Sequence, residues 1–300
     1  MAIQAADGEV SNLKHRAADA VPPPVDLVIP ARDHHRLAAT RYGDPEAQDW
    51  VIVNSATAVP RRFYRRFALA LAEAGYGVIT YDYRGIGGSR PESLRGFEAR
   101  TRDWVLLDMS AVVRWVRDHG ARGKLFLVGH SVGGQLAGLI DEPEAVDGMV
   151  TFSAQSGYYA LQGAEQKAVV WFHVHATLPV LSRLYGYMPW GKVGSGEDLP
   201  RGCALEWAAW CRHPKYLLGD ESLPLDRFDA FGAPVLAYSF EDDKWGTARA
   251  VDAMMKAYPQ LERRHVAPTD VGVDRLGHFG AFRPGASALW DQTIAWLKRR

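Results

Sequence analysis

Lys124-Leu125-Phe126-Leu127-Val128-Gly129-His130-Ser131-Val132-Gly133-Gly134-Gln135-Leu136-Ala137-Gly138-Leu139-Ile140 decides the fold. Lys124 to Val128, apolar from Leu125 on, is long enough for a buried strand, and Gln135 to Ile140 is compatible with a helix. Between them, Gly129-His130-Ser131-Val132-Gly133 has the spacing G-x-S-x-G. Small residues on both sides of a serine at a strand-to-helix turn let a strained backbone push the hydroxyl outward. The bland alternative is a glycine-rich turn that happens to hold a serine, but the strand before it and the helix after it argue for a nucleophile.

A serine hydroxyl attacks poorly at neutral pH unless a base takes its proton and a third group orients that base. Downstream, the strand expected at Pro234 to Ser239 is followed by Phe240-Glu241-Asp242-Asp243-Lys244-Trp245, which puts carboxylates at a strand's carboxyl end. Asp243 is the choice for the orienting acid, with Asp242 as its rival. Near the end of the chain, Arg275-Leu276-Gly277-His278-Phe279-Gly280 sets a histidine between glycines after the last expected strand. Of ten histidines only His278 has this position. The order Ser131, Asp243, His278 is that of triads built on open α/β sheets. His130, inside the turn itself, reads as a packed or structural ring. The i, i+2 pair His173 and His175 lacks further ligands nearby, so a polar packing role is expected rather than a metal.

Acyl transfer also needs donors for the oxyanion of its tetrahedral intermediate. The backbone N–H of Val132 is one candidate. A second should come from Ser55-Ala56-Thr57-Ala58-Val59-Pro60, after the strand Trp50 to Asn54, with Thr57 preferred and Ala56 and Ala58 left open. The glycine-rich Gly85-Ile86-Gly87-Gly88 is not a dinucleotide loop, because Arg90 stands where a third glycine would be needed and no helix opens there. It reads as a structural loop flanking the site.

Working outward, strands are expected at Val25 to Pro30, Arg36 to Arg41, Trp50 to Asn54, Gly77 to Tyr81, Lys124 to Val128, Gly148 to Phe152, Pro234 to Ser239 and Arg263 to Val266. Helical spacing separates several of them: Phe63, Phe67, Ala70 and Ala74 before Gly75, and Val105, Met109, Val112 and Val116 before Gly120. A last helix lies around Trp290, Ile294 and Leu297. This alternation is the mark of an α/β protein with a mostly parallel central sheet and helices on both faces. It breaks between about 160 and 228, where Trp171, Trp190, Trp207, Trp210, Tyr185, Tyr187 and Tyr216 gather with glycine and proline. A helical lid inserted there would cover the carboxyl ends of the strands; alternatively the aromatics are the insertion's own core. Residues 1–24, Ala-rich and ending in three prolines, read as a flexible arm before a domain at 25–300.

The 300 residues suit one sizeable α/β domain, and 47% hydrophobic with 23% charged residues is ordinary for a packed chain. Lys plus Arg and Asp plus Glu are 35 each, so no basic field attracts nucleic acid. Arg61, Arg62, Arg65 and Arg66 read as a solvated helix face. Two cysteines make no disulfide framework, and no export signal or apolar run of roughly 18 residues is found, so a cytoplasmic protein with no membrane span is expected.

Asp82-Tyr83-Arg84-Gly85-Ile86-Gly87-Gly88-Ser89 resembles the D-x-R-G-x-G-x-S loop of α/β-hydrolases. With Gly129 to Gly134 and Gly277 to Arg283, the chain from about Val25 onward is similar to their serine aminopeptidase-like and esterase-like branch. More narrowly, Gly196 to Gly202 and Glu206 to Pro214 resemble a group of bacterial predicted hydrolases. The resemblance implies a sheet of about eight strands and an acyl-enzyme mechanism needing no metal or organic cofactor, with Ser131, Asp243 and His278 at the motif positions. Ser55-Ala56 stands where many relatives have His-Gly. No acidic pocket for a substrate amine is identifiable. The expected activity is hydrolysis of a carboxylic ester, thioester or amide on a small-molecule acyl substrate. Acyl transfer by the same residues, or a non-catalytic binding role, are the alternatives, and a homodimer is left open.

Overall fold

The computed structural model describes residues 21–193 and 196–300, so most of the expected N-terminal arm lies outside the described residues. Eight strands form one sheet: β1 (Val25–Pro30), β2 (Arg36–Tyr42), β3 (Trp50–Asn54), β4 (Gly77–Tyr81), β5 (Leu125–His130), β6 (Gly148–Phe152), β9 (Val235–Phe240) and β10 (Leu261–Val266). Their order is β1-β2-β4-β3-β5-β6-β9-β10. Strand β2 runs antiparallel to β1 and β4, and the remaining pairs are parallel.

Every residue of β3, β4 and β6 is buried, as continuous apolar runs require when both sheet faces are covered. Successive side chains part to opposite sides. Ile52, Ile79, Leu127 and Met149 join one core with α2 (Ser110–His119), α3 (Val132–Leu136) and α9 (Ala248–Met255). Val51, Val78, Val128 and Val150 join the other with α1 (Arg65–Glu73) and α10 (Ser287–Leu297). The chain leaves β3 toward β4 on one side and β5 toward β6 on the other. The carboxyl ends of β3 and β5 therefore flank the switch point, where open α/β sheets hold their ligands.

Strands β2, β9 and β10 shift by one or two residues from their expected bounds, β10 starting at Leu261 because it pairs with Val235, and two larger differences have reasons the hydrogen bonds give. Strand β5 runs on through Gly129 and His130, which pair with Asn54 and Phe152, and α3 starts at once because Ser131 C=O accepts from Gly134 N and Gln135 N at 3.0 Å each. The whole turn is thus made at one residue, and α3 gives way to a 3-10 turn at Ala137–Leu139 instead of reaching Ile140. The helix ending in α2 opens with a wide turn at Trp104–Met109, where Ser110 Oγ donates to Val105 O at 2.9 Å.

Between β6 and β9 the chain leaves the sheet through α4 (Ala164–Phe172), a wide turn at His173–Thr177, α5 (Leu178–Tyr185), the ribbon of β7 (Tyr187–Met188) and β8 (Leu199–Pro200), α6 (Trp190–Val193), α7 (Arg201–Arg212) and α8 (Arg227–Ala230). The aromatics of this segment divide. Trp210 and Tyr216 are core, Trp190 and Trp207 are partly buried against it, and Trp171 and Tyr185 face solvent. Both cysteines are free and buried. Among the described residues no helix is long and apolar enough to cross a membrane.

Candidate active site

Ser131 sits in the turn with φ 51° and ψ −118°, a conformation that L residues avoid and that persists only where the surroundings enforce it. Enforcement comes from packing: a Cβ on Gly133 would lie 2.3 Å from the carbonyl oxygen of Asn54, so only glycine lets α3 press against the end of β3. As the first residue of α3, Val132 has an N–H with no acceptor inside the helix. Ser131 faces a cavity of about 260 Å³ that it shares with Ala56, Thr57, Ala58, Gln135, Gln155, Trp207, Trp245 and His278. No Asp, Glu, Lys or Arg is among its described lining residues.

His278 and Asp243 meet: Nδ1 of the ring stands 2.8 Å from Asp243 Oδ2. The carboxylate also accepts from Ser153 Oγ at 2.7 Å, Trp245 N at 2.9 Å and Gly246 N at 2.8 Å. Burial alone would raise its pKa, but His278 and these donors outweigh burial and hold the carboxyl well below its usual range. Gly246 is needed for that approach, since its Cβ would fall 2.5 Å from Asp243 Oδ2. Asp242 turns the other way and accepts the backbone N–H groups of Leu276 and Gly277 at 2.9 and 2.8 Å. The adjacent acids thus differ in partner: Asp243 grips the imidazole and Asp242 the loop that carries it. The ring nitrogen left over, Nε2, is the one away from Asp243. No hydrogen bond among the described residues ties down the Ser131 hydroxyl.

Beneath the turn, His130 is fully buried. Its Nε2 donates to the carbonyl of His278 at 2.8 Å, leaving Nδ1 to accept from the Tyr64 hydroxyl at 2.8 Å. The same hydroxyl accepts from Ala56 N–H at 2.8 Å. Burial pushes the His130 pKa down to about 3, so the ring is neutral and both roles are fixed. One buried pair of side chains therefore joins the loop after β3 to the loop bearing His278. It also removes Ala56 from the three candidate oxyanion donors, while Thr57 and Ala58 still line the cavity.

The family model of serine aminopeptidases, S33, matches residues 46–198, half of the chain and the part that holds Ser131. The chain belongs to the S33 serine aminopeptidase family of α/β-hydrolases. A protein named "Putative carbamate hydrolase RutD", of Variovorax paradoxus, is 35% identical over 115 residues, and the match spans 37% of this chain and 40% of that relative. An esterase of Pyrococcus furiosus covers 92% of both chains at 16% identity and TM-score 0.56. The thioesterase domain of the curacin biosynthetic pathway covers 91% of this chain and all of its own at 16% identity and TM-score 0.56. The hypothetical protein PA2218 of Pseudomonas aeruginosa covers 99% of both at 14% identity and TM-score 0.63. Identities this low establish the α/β-hydrolase fold and leave the chemistry to the site.

In this S33-family chain the Asp82 to Ser89 loop is a knot. Asp82 accepts from Arg61 N at 2.6 Å and Gly88 N at 2.9 Å, and Arg84 pairs with Asp108 at 2.8 Å and Asp33 at 2.7 Å. None of its residues lines the cavity. Arg61 also pairs with Asp82, so that member of the basic cluster is structural while Arg62 is exposed. His173 and His175 part company: His175 stacks on Trp171 with centroids 4.6 Å apart, and His173 lines the cavity. Reading the sequence missed Tyr64 and Ser153. Tyr64 carried a signal, being the one polar ring on the inward side of a helix that starts just after the expected oxyanion loop. Ser153 carried none beyond its place at the end of β6.

Proposed function

We propose that this hydrolase cleaves neutral carboxylic esters, or thioesters, of compact acyl groups through an acyl-enzyme. Ser131 Oγ attacks the carbonyl carbon as its proton passes to His278 Nε2. Asp243 holds the opposite nitrogen of that ring and stabilises the imidazolium. The oxyanion of the tetrahedral intermediate accepts from the N–H groups of Val132 and Thr57. Its collapse expels the alcohol or thiol, which takes the proton from His278. Water then attacks the acyl-enzyme, giving its proton to His278, and a second collapse frees the acid and returns the proton to Ser131. The observation that carries this reading is the 2.8 Å contact of His278 Nδ1 with Asp243, made at the rim of the cavity that the strained Ser131 faces. A cavity without carboxylates among its described lining residues favours an ester over a peptide with a free amine.

The segment from 160 to 228 serves in this reading as a lid, because Trp190, Leu199 and Trp207 close the cavity from its side. A fluorophosphonate probe should label the wild-type protein and leave Ser131→Ala unlabelled, and p-nitrophenyl esters of graded length should show turnover that ends with the longer acyl chains. A wild-type protein that resists the probe and every ester would refute the assignment.

A further inference from the structure

The cavity is apolar and aromatic on most sides, yet two glutamines are set into its wall. Gln135, on α3, is 2% exposed, and Gln155, just past β6, is 6% exposed. They are wired in series. The hydroxyl of Tyr216 donates to Gln135 Oε1 at 3.0 Å, and Gln135 Nε2 donates to Gln155 Oε1 at 3.4 Å. Tyr216 is itself clamped: it is 1% exposed, and a Cβ on Gly157 would fall 2.6 Å from its ring. Its phenol is held neutral by burial, so it remains a donor throughout the working pH range.

The direction of this chain decides what the cavity offers. Both amide oxygens are consumed inside the wall, and Gln155 lines both this cavity and a smaller recess beside it, which Gln162, Val170 and His173 also line. Its Nε2 group donates to no protein atom among the described residues. We infer that Gln155 is a specificity residue, which presents an amide N–H to a neutral hydrogen-bond acceptor on the acyl group, so that the preferred substrates are esters whose acyl chain carries a second carbonyl, as in oxo-acyl or amidoacyl esters. No Lys, Arg, Asp or Glu is among the described lining residues to hold a carboxylate or an amine there, which leaves a neutral oxygen as the matching group. A purely hydrocarbon chain would strip water from the Gln155 amide and return nothing, whereas a carbonyl oxygen replaces that water. This assignment rests on the esterase reading of Ser131.

The experiment compares p-nitrophenyl hexanoate with its 4-oxo and 5-oxo analogues, with fluorophosphonate labelling run on every variant as a gauge of an intact site. Wild-type protein should favour one oxo ester by about tenfold in kcat/KM, the scale of one net hydrogen bond. Gln155→Met, which keeps the length of the side chain, should bring that ratio to about one. Tyr216→Phe, which frees Gln135 to turn over, should lower it about threefold while labelling proceeds. Labelling and hexanoate turnover with no oxo preference in the wild type, or a preference that survives Gln155→Met, overturns the role of Gln155 and leaves the esterase standing. Failure of labelling and of all three esters in the wild type brings down the esterase reading itself.

Discussion

The two walls of the cavity are built to different standards. On the sheet side both nitrogens of His130, the Nδ1 of His278 and both carboxylates of Asp242 and Asp243 have partners between 2.7 and 2.9 Å. On the side of the insertion, Gln162 Oε1 and His173 Nδ1 are buried without a partner, and Trp171, Phe172 and Leu184 stand 47%, 57% and 70% exposed. Groups that must meet within a fraction of an ångström are over-determined by hydrogen bonds. The insertion's part of the enclosure, Trp190, Leu199 and Trp207, is held mainly by apolar packing, which tolerates exchange.

Substitutions on the two walls should therefore differ by orders of magnitude. Asp243→Asn should have the largest effect, lowering kcat by about 10⁴ because the amide favours the wrong tautomer of His278. Asp242→Ala frees the Leu276 and Gly277 amides and lets the His278 loop drift; a fall in kcat of about 10²-fold with KM little moved is expected. Steady-state kinetics on one ester measures both, and an Asp242→Ala enzyme as active as wild type would show that the loop needs no such anchor.

His130 tests the same wall through stability. Its native pKa is about 3 against 6.5 when exposed, so below pH 6.5 the unfolded chain binds a proton that the native chain refuses. Stability therefore falls as pH drops from 6.5 toward 3, and two units of that window are worth about 2–3 kcal/mol. Urea unfolding at pH 6.5 and pH 4.5 should show a smaller loss on acidification in His130→Leu than in wild type, with equal losses counting against the buried neutral ring. The smallest effect is expected on the insertion's solvent-facing side: Phe172→Ser, at a residue 57% exposed, should change the unfolding free energy by no more than about 0.5 kcal/mol.

The same contrast explains what could be read from the residues alone. Strands β3, β4 and β6 fall where their apolar runs place them, because a run buried on both faces has few alternatives, and the largely exposed edge strand β1 also keeps its expected bounds. The turn at Ser131 was legible through its glycines, each fitted to a close approach. Asp243 was preferred in sequence but Asp242 stayed open as its rival, since neighbouring acids on one loop differ only in which way each side chain points. The link through Tyr64 and His130 joins residues 66 apart along the chain, and no local spacing encodes such a contact. Least legible was the insertion, where an aromatic side chain serves equally well as core, cavity wall or solvent-facing surface.

The left-handed backbone at Ser131 has an evolutionary corollary. A side chain there costs about 1–3 kcal/mol that glycine would not, so on the proposed reading the attacking residue sits against the preference of its own main chain. A descendant released from its chemistry would gain thermal resistance by discarding that one side chain. Glycine at this position should accordingly be the early sign of a lineage that kept the scaffold and abandoned the reaction.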